Sequence, residues 1–158
     1  MVDPSTFRTV LGRLASGVSI VTTVGADGGD QGMTVSALCS LSLDPPLVLL
    51  CVDRNATMYP HLRTAAHFAV SVLALDQEPL SRRFAESRED RFVGVAFTRE
   101  LTGCALIDGA LAQLECDLFA QHEGGDHTIF VGRVRRAVAR DGVEPLLYYR
   151  GAYGRLHP

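Results

Sequence analysis

Residues 111 to 139 form two long runs of alternating character around a single turn. In the first run Leu114, Cys116, Leu118 and Ala120 take one side while Gln113, Glu115 and Asp117 take the other. That period of two reads as a long half-exposed strand from Leu111 to Gln121. His122-Glu123-Gly124-Gly125-Asp126-His127 supplies the turn, and Thr128 to Ala139 returns as a second strand bearing Arg133, Arg135 and Arg136. A chain with this hairpin at its centre is built on antiparallel β-structure, and the three arginines are read as solvating its second arm.

The remaining segments fit around that hairpin. Asp3-Pro4 is a helix start, and Phe7, Val10, Leu11, Leu14 and Ala15 follow at helical spacing up to Ser16-Gly17. Val18 to Val24 is a β-branched strand, turned back by Ala26-Asp27-Gly28-Gly29 so that the next stretch forms the second arm of a hairpin. Pro45-Pro46 is expected to interrupt pairing, and Leu47 to Val52, apolar on both faces, belongs in the middle of a sheet or barrel. Met58 to Ala65 reads as a short helix, Phe68 to Leu73 as a strand, and Asp76-Gln77-Glu78-Pro79 with Leu80 and Phe84 as a second helix start. Ser87 to Arg91 is a charged loop, Val93 to Leu106 carries mixed signals, and Pro145 to Arg150 is a last short strand. Strands outnumber helices and βαβ alternation is missing, so the expected class is mostly β with peripheral helices, an antiparallel barrel in one domain, 1–158.

One stretch departs from an ordinary core strand. Gly32-Met33-Thr34-Val35-Ser36-Ala37-Leu38-Cys39-Ser40-Leu41-Ser42 is rich in small and hydroxyl residues although it lies between hydrophobic strands. Small side chains leave main-chain N–H groups open, and the hydroxyls both donate and accept. A flat, polar-edged cofactor or a phosphate fits such a surface, and so does a Ser-rich edge strand bonded to water.

Composition removes several classes. The net charge of −3 argues against a general nucleic-acid binder, which needs a basic face. No run approaches the roughly 20 apolar residues of a membrane span, and the first residues lack the basic-then-apolar order of a signal peptide, so a cytoplasmic protein is expected. Cys39, Cys51, Cys104 and Cys116 show no Cys-x-x-Cys spacing, and Cys51 and Cys116, inside apolar strand patterns, read as buried free thiols. His122, Glu123, Asp126 and His127 lie on one turn with no ligand from a second element, so no metal is assigned.

Gly32 to Ala37, followed by Ser40-Leu41-Ser42-Leu43-Asp44-Pro45-Pro46-Leu47-Val48-Leu49, resembles the signature of the short-chain flavin reductases, the flavin reductase-like family with the FMN-binding split barrel. Phe7-Arg8, Ser16-Gly17-Val18, Phe68 to Leu73, Phe84-Ala85, Arg91-Phe92, Leu114-Glu115-Cys116, Gly125-Asp126-His127 and Pro145 to Tyr148 agree in order and spacing, over essentially the whole chain.

The resemblance implies a homodimeric split barrel that takes FAD or FMN and is reduced by NADH or NADPH. It implies that Met33, Thr34, Val35, Ser36, Ala37 and Leu38 run along the isoalloxazine ring. Cys51, Val52, Asp53, Arg54, Asn55 and Thr57 would reach the ribityl and phosphate, while Phe84, Ala85, Arg91 and Phe92 complete the cofactor site. His127 would face the nicotinamide, with Tyr153 bordering that pocket. Val35 stands where the family often has Ala, and Ala37 where it often has Ser or Asn, so one side-chain contact is missing while backbone contacts remain. The implied activity is NAD(P)H:flavin oxidoreduction, with reduced flavin released to a flavin-dependent monooxygenase. The alternatives are a non-catalytic flavin-binding module, or a flavoprotein passing electrons to a quinone, ferric iron or a corrinoid.

Overall fold

The computed structural model describes residues 1–156. Helix α1 (Pro4–Leu11) is capped by Asp3, whose carboxylate accepts the N–H groups of Ser5 and Thr6 at 3.0 Å each. The apolar spacing predicts a longer helix, but Gly12 ends it and Ser16–Gly17 forms a short strand, β1. Its apolar residues find no core within the chain: Phe7, Val10, Leu11 and Leu14 are all exposed.

Strand β2 (Ser19–Val24) pairs with β3 (Asp30–Val35), as the Gly-rich turn predicts. The small-residue stretch is not a single hairpin arm. It divides at Ser36-Ala37 into β3 and β4 (Leu38–Leu43), and β4 pairs elsewhere, with β5 (Pro46–Asp53). Pro45-Pro46 does not stop this pairing; it forms the tight turn, and Leu43 stands opposite Pro46. Helix α2 (Tyr59–Thr64), strand β6 (His67–Val72), a 3-10 turn at Leu75–Gln77 and helix α3 (Glu78–Ala85) follow in the predicted order. The segment with mixed signals yields only β7 (Phe97–Thr98) and β8 (Leu106–Ile107), which pair with each other.

The central hairpin is longer than its pattern indicates. β9 (Ala112–Gly124) and β10 (His127–Ala139) turn on Gly125-Asp126 alone, with Gly125 in the left-handed region at φ 73°. The chain closes with β11 (Leu147–Tyr149), narrower than the predicted Pro145–Arg150, and β12 (Ala152–Gly154), which join β1 in a small sheet.

Seven strands make one antiparallel sheet in the order β3-β2-β6-β9-β10-β5-β4. The sheet curls without closing, so the barrel is split, and its two edge strands are consecutive in the chain. Val21, Leu50, Val52, Phe68, Val70 and Phe130 fill its inner face. A second cluster, with Ile20, Leu73, Phe84, Ile107 and Leu146, packs on the outer face beneath α3 and the short strands. β2 is therefore buried on both sides, and its threonines are satisfied: Thr22 Oγ1 donates to Ala105 O at 2.6 Å and Thr23 Oγ1 to His67 O at 2.7 Å. Gly132 is required where β10 passes Phe68, because a Cβ there collides with the ring.

Two expectations for the hairpin change. Glu115, on the polar side of the alternation, is fully buried because the 99–106 segment covers it, and its Oε1 accepts Thr102 N and Thr102 Oγ1 at 2.8 Å each. The arginines do more than solvate: Arg135 donates to Asp117 at 2.6 Å, and Arg136 lies 3.7 Å from buried Glu115. Cys116 is buried, its thiol pushed up to about 12 by desolvation, whereas Cys51 is only half-buried.

Candidate functional site

The opening of the split barrel forms a groove of about 450 Å³, lined by Gly17, Ser36, Ala37, Leu38, Cys39 and Cys51 among others. Ser36 and Ala37 belong to neither β3 nor β4 and form the link between them. Cys51 N donates to Ala37 O at 3.1 Å and fixes this link against β5. The groove is largely apolar, with exposed backbone at one wall.

The other residues of β3 look elsewhere. Met33 and Val35 pack with the inner cluster. Thr34 Oγ1 donates to Ser81 O on α3 at 2.7 Å, which ties the strand to that helix. Val52 and Phe84 are also core residues, with 0 and 1% of their surface exposed. The Phe84 ring is a support rather than a ligand contact: a Cβ at Gly32 would meet it at 2.8 Å, and would meet Phe92 at 3.0 Å. Ala85 is exposed at the end of α3.

The 53–57 segment leads away from the groove. Asp53 Oδ1 accepts Asn55 N at 2.8 Å and Asn55 Nδ2 at 3.1 Å, an Asx turn that shapes the loop. Arg54 N donates to Asp126 O at 3.1 Å, and Asp53 is the register partner of His127. The structure thereby brings the Gly-Asp-His turn to the 53–57 loop. His127 is half-exposed, with Nδ1 2.7 Å from Asp126 Oδ1. That bond holds the Asp126 carboxyl below its usual range. An ionised Asp126 accepts, so Nδ1 is the donor in that bond and the ring's orientation is fixed by it.

At the far end of the loop, Arg91 is 8% exposed and yet, among the described residues, no carboxylate pairs with it. Nε donates to Glu86 O at 2.8 Å, and Nη1 donates to Gly32 O and Thr57 Oγ1 at 3.1 Å each. Nη2 donates to Thr57 Oγ1 and Glu86 O. Burial alone pushes the guanidinium below the usual arginine value. Buried charges are ordinarily neutralised by a partner; here the cation meets only neutral oxygens. Because Thr57 Oγ1 receives two guanidinium N–H groups, its own proton is left to donate outward, polarised by the positive charge behind it. An anion is the complement of that arrangement. Arg91, Thr57, Gly32 and Phe92 border a second, polar cavity of about 570 Å³.

Tyr153 packs against the second cluster. It lines a different cavity with Leu75 and Glu78, its hydroxyl is 2.8 Å from Ser81 Oγ, and the Arg82 guanidinium stacks 4.7 Å from its ring centre. Sequence reasoning did not single out Gly17 or Cys39 as groove residues, nor Asp126 as the partner that orients His127. The adjacency of Asp126 to His127 was the available signal for the last.

A split antiparallel barrel with a backbone-walled groove and a buried arginine that meets neutral oxygens is chemically suited to a planar, phosphate-bearing cofactor. The chain belongs to the flavin reductase-like family: residues 11–157 match the model described as "Flavin reductase like domain". It is 43% identical over 155 residues to an NADH-dependent flavin reductase of a Rhodococcus species, covering 96% of this chain and 86% of that one. It is 38% identical over 157 residues to the reductase subunit HsaB of a flavin-dependent monooxygenase from Rhodococcus jostii, covering 99% of this chain and 80% of the relative. Among solved structures, the NADH:FAD oxidoreductase SgcE6 of Streptomyces globisporus, in complex with NAD and FAD fragments, superposes with a TM-score of 0.93 at 41% identity, covering 100% of this chain and 97% of that one.

Proposed function

We propose that the chain, read as one domain over 1–158, is an NADH:flavin oxidoreductase that transfers hydride from the nicotinamide to FAD or FMN and releases the reduced flavin to a partner monooxygenase. The observation that carries it is Arg91, a buried cation that pairs with no carboxylate among the described residues, set behind Thr57 at the end of a loop that starts in the ring-sized groove. Relatives named as NADH-dependent reductases and monooxygenase reductase subunits support the donor and the destination.

Flavin, when bound, would supply the redox chemistry as acceptor of the hydride that the nicotinamide gives up. The protein's part is placement. The Ser36–Leu38 backbone would lie along the ring and offer N–H groups where negative charge develops. Thr57, with Arg91 behind it, would hold the phosphate, and the Asp53–Asn55 turn would carry the chain between these ends. His127, oriented by Asp126, would border the nicotinamide and exclude water from its face. Holding both rings in one groove makes the transfer effectively intramolecular, the main source of rate available without an acid or base.

A homodimer is part of this reading. The whole apolar face of α1 is exposed, and Leu41 and Leu43 near the β4–β5 turn are exposed as well. A second copy would cover these surfaces, which a lone chain leaves wet. The cytoplasm is the expected location, and no helix among the described residues is long and apolar enough to cross a membrane.

The test is NADH oxidation at 340 nm by purified protein with and without added flavin. The expected result is a rate that saturates with free flavin. Flavin binding without NADH turnover would overturn the reductase reading in favour of a binding module, and turnover only with a quinone, ferric iron or corrinoid would favour a bound-flavin reductase.

A further inference from the structure

From the two thiols of the ring groove we infer that Cys39 and Cys51 form a reversible disulfide that closes the groove to flavin, so that hydrogen peroxide stops flavin reduction; the inference rests on the flavin reading above. Cys39 stands opposite Leu49 in the β4–β5 ladder, and Cys51 lies two residues further along β5, so both side chains take the same face of the sheet. Both line the groove, with Leu49 beside them. They are close enough that Cys39 adds to desolvation in pushing the Cys51 thiol up. Cys39 is exposed and Cys51 half-buried, whereas Cys104 and Cys116 are buried in the core. The thiols that a solute can reach are therefore the two in the groove.

Diagonal cross-strand neighbours lie about 7–8 Å apart, and a disulfide needs its Cα atoms within roughly 7 Å, so closure draws the two strands together by about 1 Å. β5 is held between β4 and β10, while β4 is the edge of the sheet. The movement therefore falls on the start of β4 and on the Ser36-Ala37 link attached to it, the backbone read above as lying along the ring. The oxidant has a source in the proposed reaction. Reduced flavin that meets dioxygen before it reaches a monooxygenase hands over two electrons and yields hydrogen peroxide. The Cys39 sulfur, the more exposed, attacks the peroxide O–O bond, giving a sulfenic acid and one water. The Cys51 sulfur then attacks that sulfur: the S–S bond forms, the S–O bond breaks and a second water leaves. The two thiols give up two electrons, peroxide takes them, and both thiol protons end in water. The bridge stops flavin reduction when nothing consumes its product.

The experiment treats the full, reduced chain with hydrogen peroxide, maps its disulfides by mass spectrometry, and titrates FMN before and after treatment by quenching of flavin fluorescence. The expected result is a peptide pair joined at Cys39 and Cys51, with Cys104 and Cys116 still free. FMN binding should weaken about tenfold, the weight of one or two lost hydrogen bonds, and recover with dithiothreitol. In Cys39→Ser the same treatment should leave that variant's own FMN affinity unmoved, and saturating FMN should slow bridging of the unaltered chain. Oxidation of Cys39 without a bridge to Cys51, a bridge between two chains, or a bridged protein that binds FMN as tightly as the reduced one would each overturn the inference. So would an equal loss in Cys39→Ser, or bridging that FMN does not slow. Failure of the flavin reading is distinguishable: the reduced, unbridged protein would then not bind FMN, and the bridge would have nothing to exclude.

Discussion

The groove at Ser36-Ala37 and the cavity at Arg91 border the same two chain segments, yet they are made of different material. The groove is walled by peptide groups of the link between β3 and β4 and by side chains no larger than Leu. The cavity depends on one long side chain that reaches through the core to bind Glu86, Gly32 and Thr57 at once. Recognition by backbone tolerates change in side-chain identity, and recognition by a single cation does not. The departure at Ala37 from the usual family residues falls in the tolerant part, while that at Val35 falls in the inner cluster.

The largest effect should come from Arg91→Ala. Losing the charge-assisted bonds is expected to cost about 2–3 kcal/mol of flavin binding, roughly 30- to 150-fold, together with a lower Tm because three segments lose their common tie. Arg91→Lys should recover less than half of that, since an ammonium cannot fork between Glu86 and Thr57. Titration with FMN checks both, and tight binding by the alanine variant would show that the cavity too is a backbone site. Gly32→Ala follows, at about 1–3 kcal/mol of stability from the crowding of Phe84 and Phe92, read by denaturant unfolding.

In the groove the contrast is between two replacements of one residue. Ser36→Ala should alter flavin affinity less than twofold, whereas Ser36→Pro, which removes the N–H, should weaken it about fivefold or more, the weight of one hydrogen bond. Equal effects would break the comparison. His127→Ala should raise the KM for NADH about tenfold with flavin affinity little changed, in steady-state kinetics paired with titration.

The smallest effect is that of acid on the cavity loop. Arg88 binds Asp90 at 2.6 and 2.8 Å and holds its carboxyl at about 2. The folded value is depressed, so this pair's contribution is complete above the unfolded carboxylate value and is lost as pH falls toward about 2. Flavin affinity between pH 7 and pH 5 should therefore show no step from this loop.

Much of this architecture was legible because its signals are local. The Asp3 cap, the Gly-rich turn after β2 and the alternation of β9 and β10 each sit within a few neighbouring residues. What was hidden depends on distant segments. Glu115 reads as solvent-facing until the 99–106 segment, which has no clear period, folds over it. The length of α1 is overestimated because Leu14 and Ala15 extend the apolar spacing past the Gly12 stop. Phe84 and Arg91 were both marked for the site by resemblance, but only packing separates them: one supports Gly32 from below, the other lies behind Thr57. The division of the small-residue stretch between opposite edges of the sheet has no local signal at all.

That division sets a limit on how the chain can vary. Surface links ordinarily absorb an extra residue with little consequence. The link at Ser36-Ala37 does not, though both side chains are exposed. The β4–β5 register is held by the tight turn at Pro45-Pro46, so one residue added here would be forced out of the link itself, breaking the Cys51 N to Ala37 O bond and displacing the peptide groups that wall the groove. The most exposed part of the site is thus also a fixed-length part of the chain, where substitutions are tolerated and insertions are not.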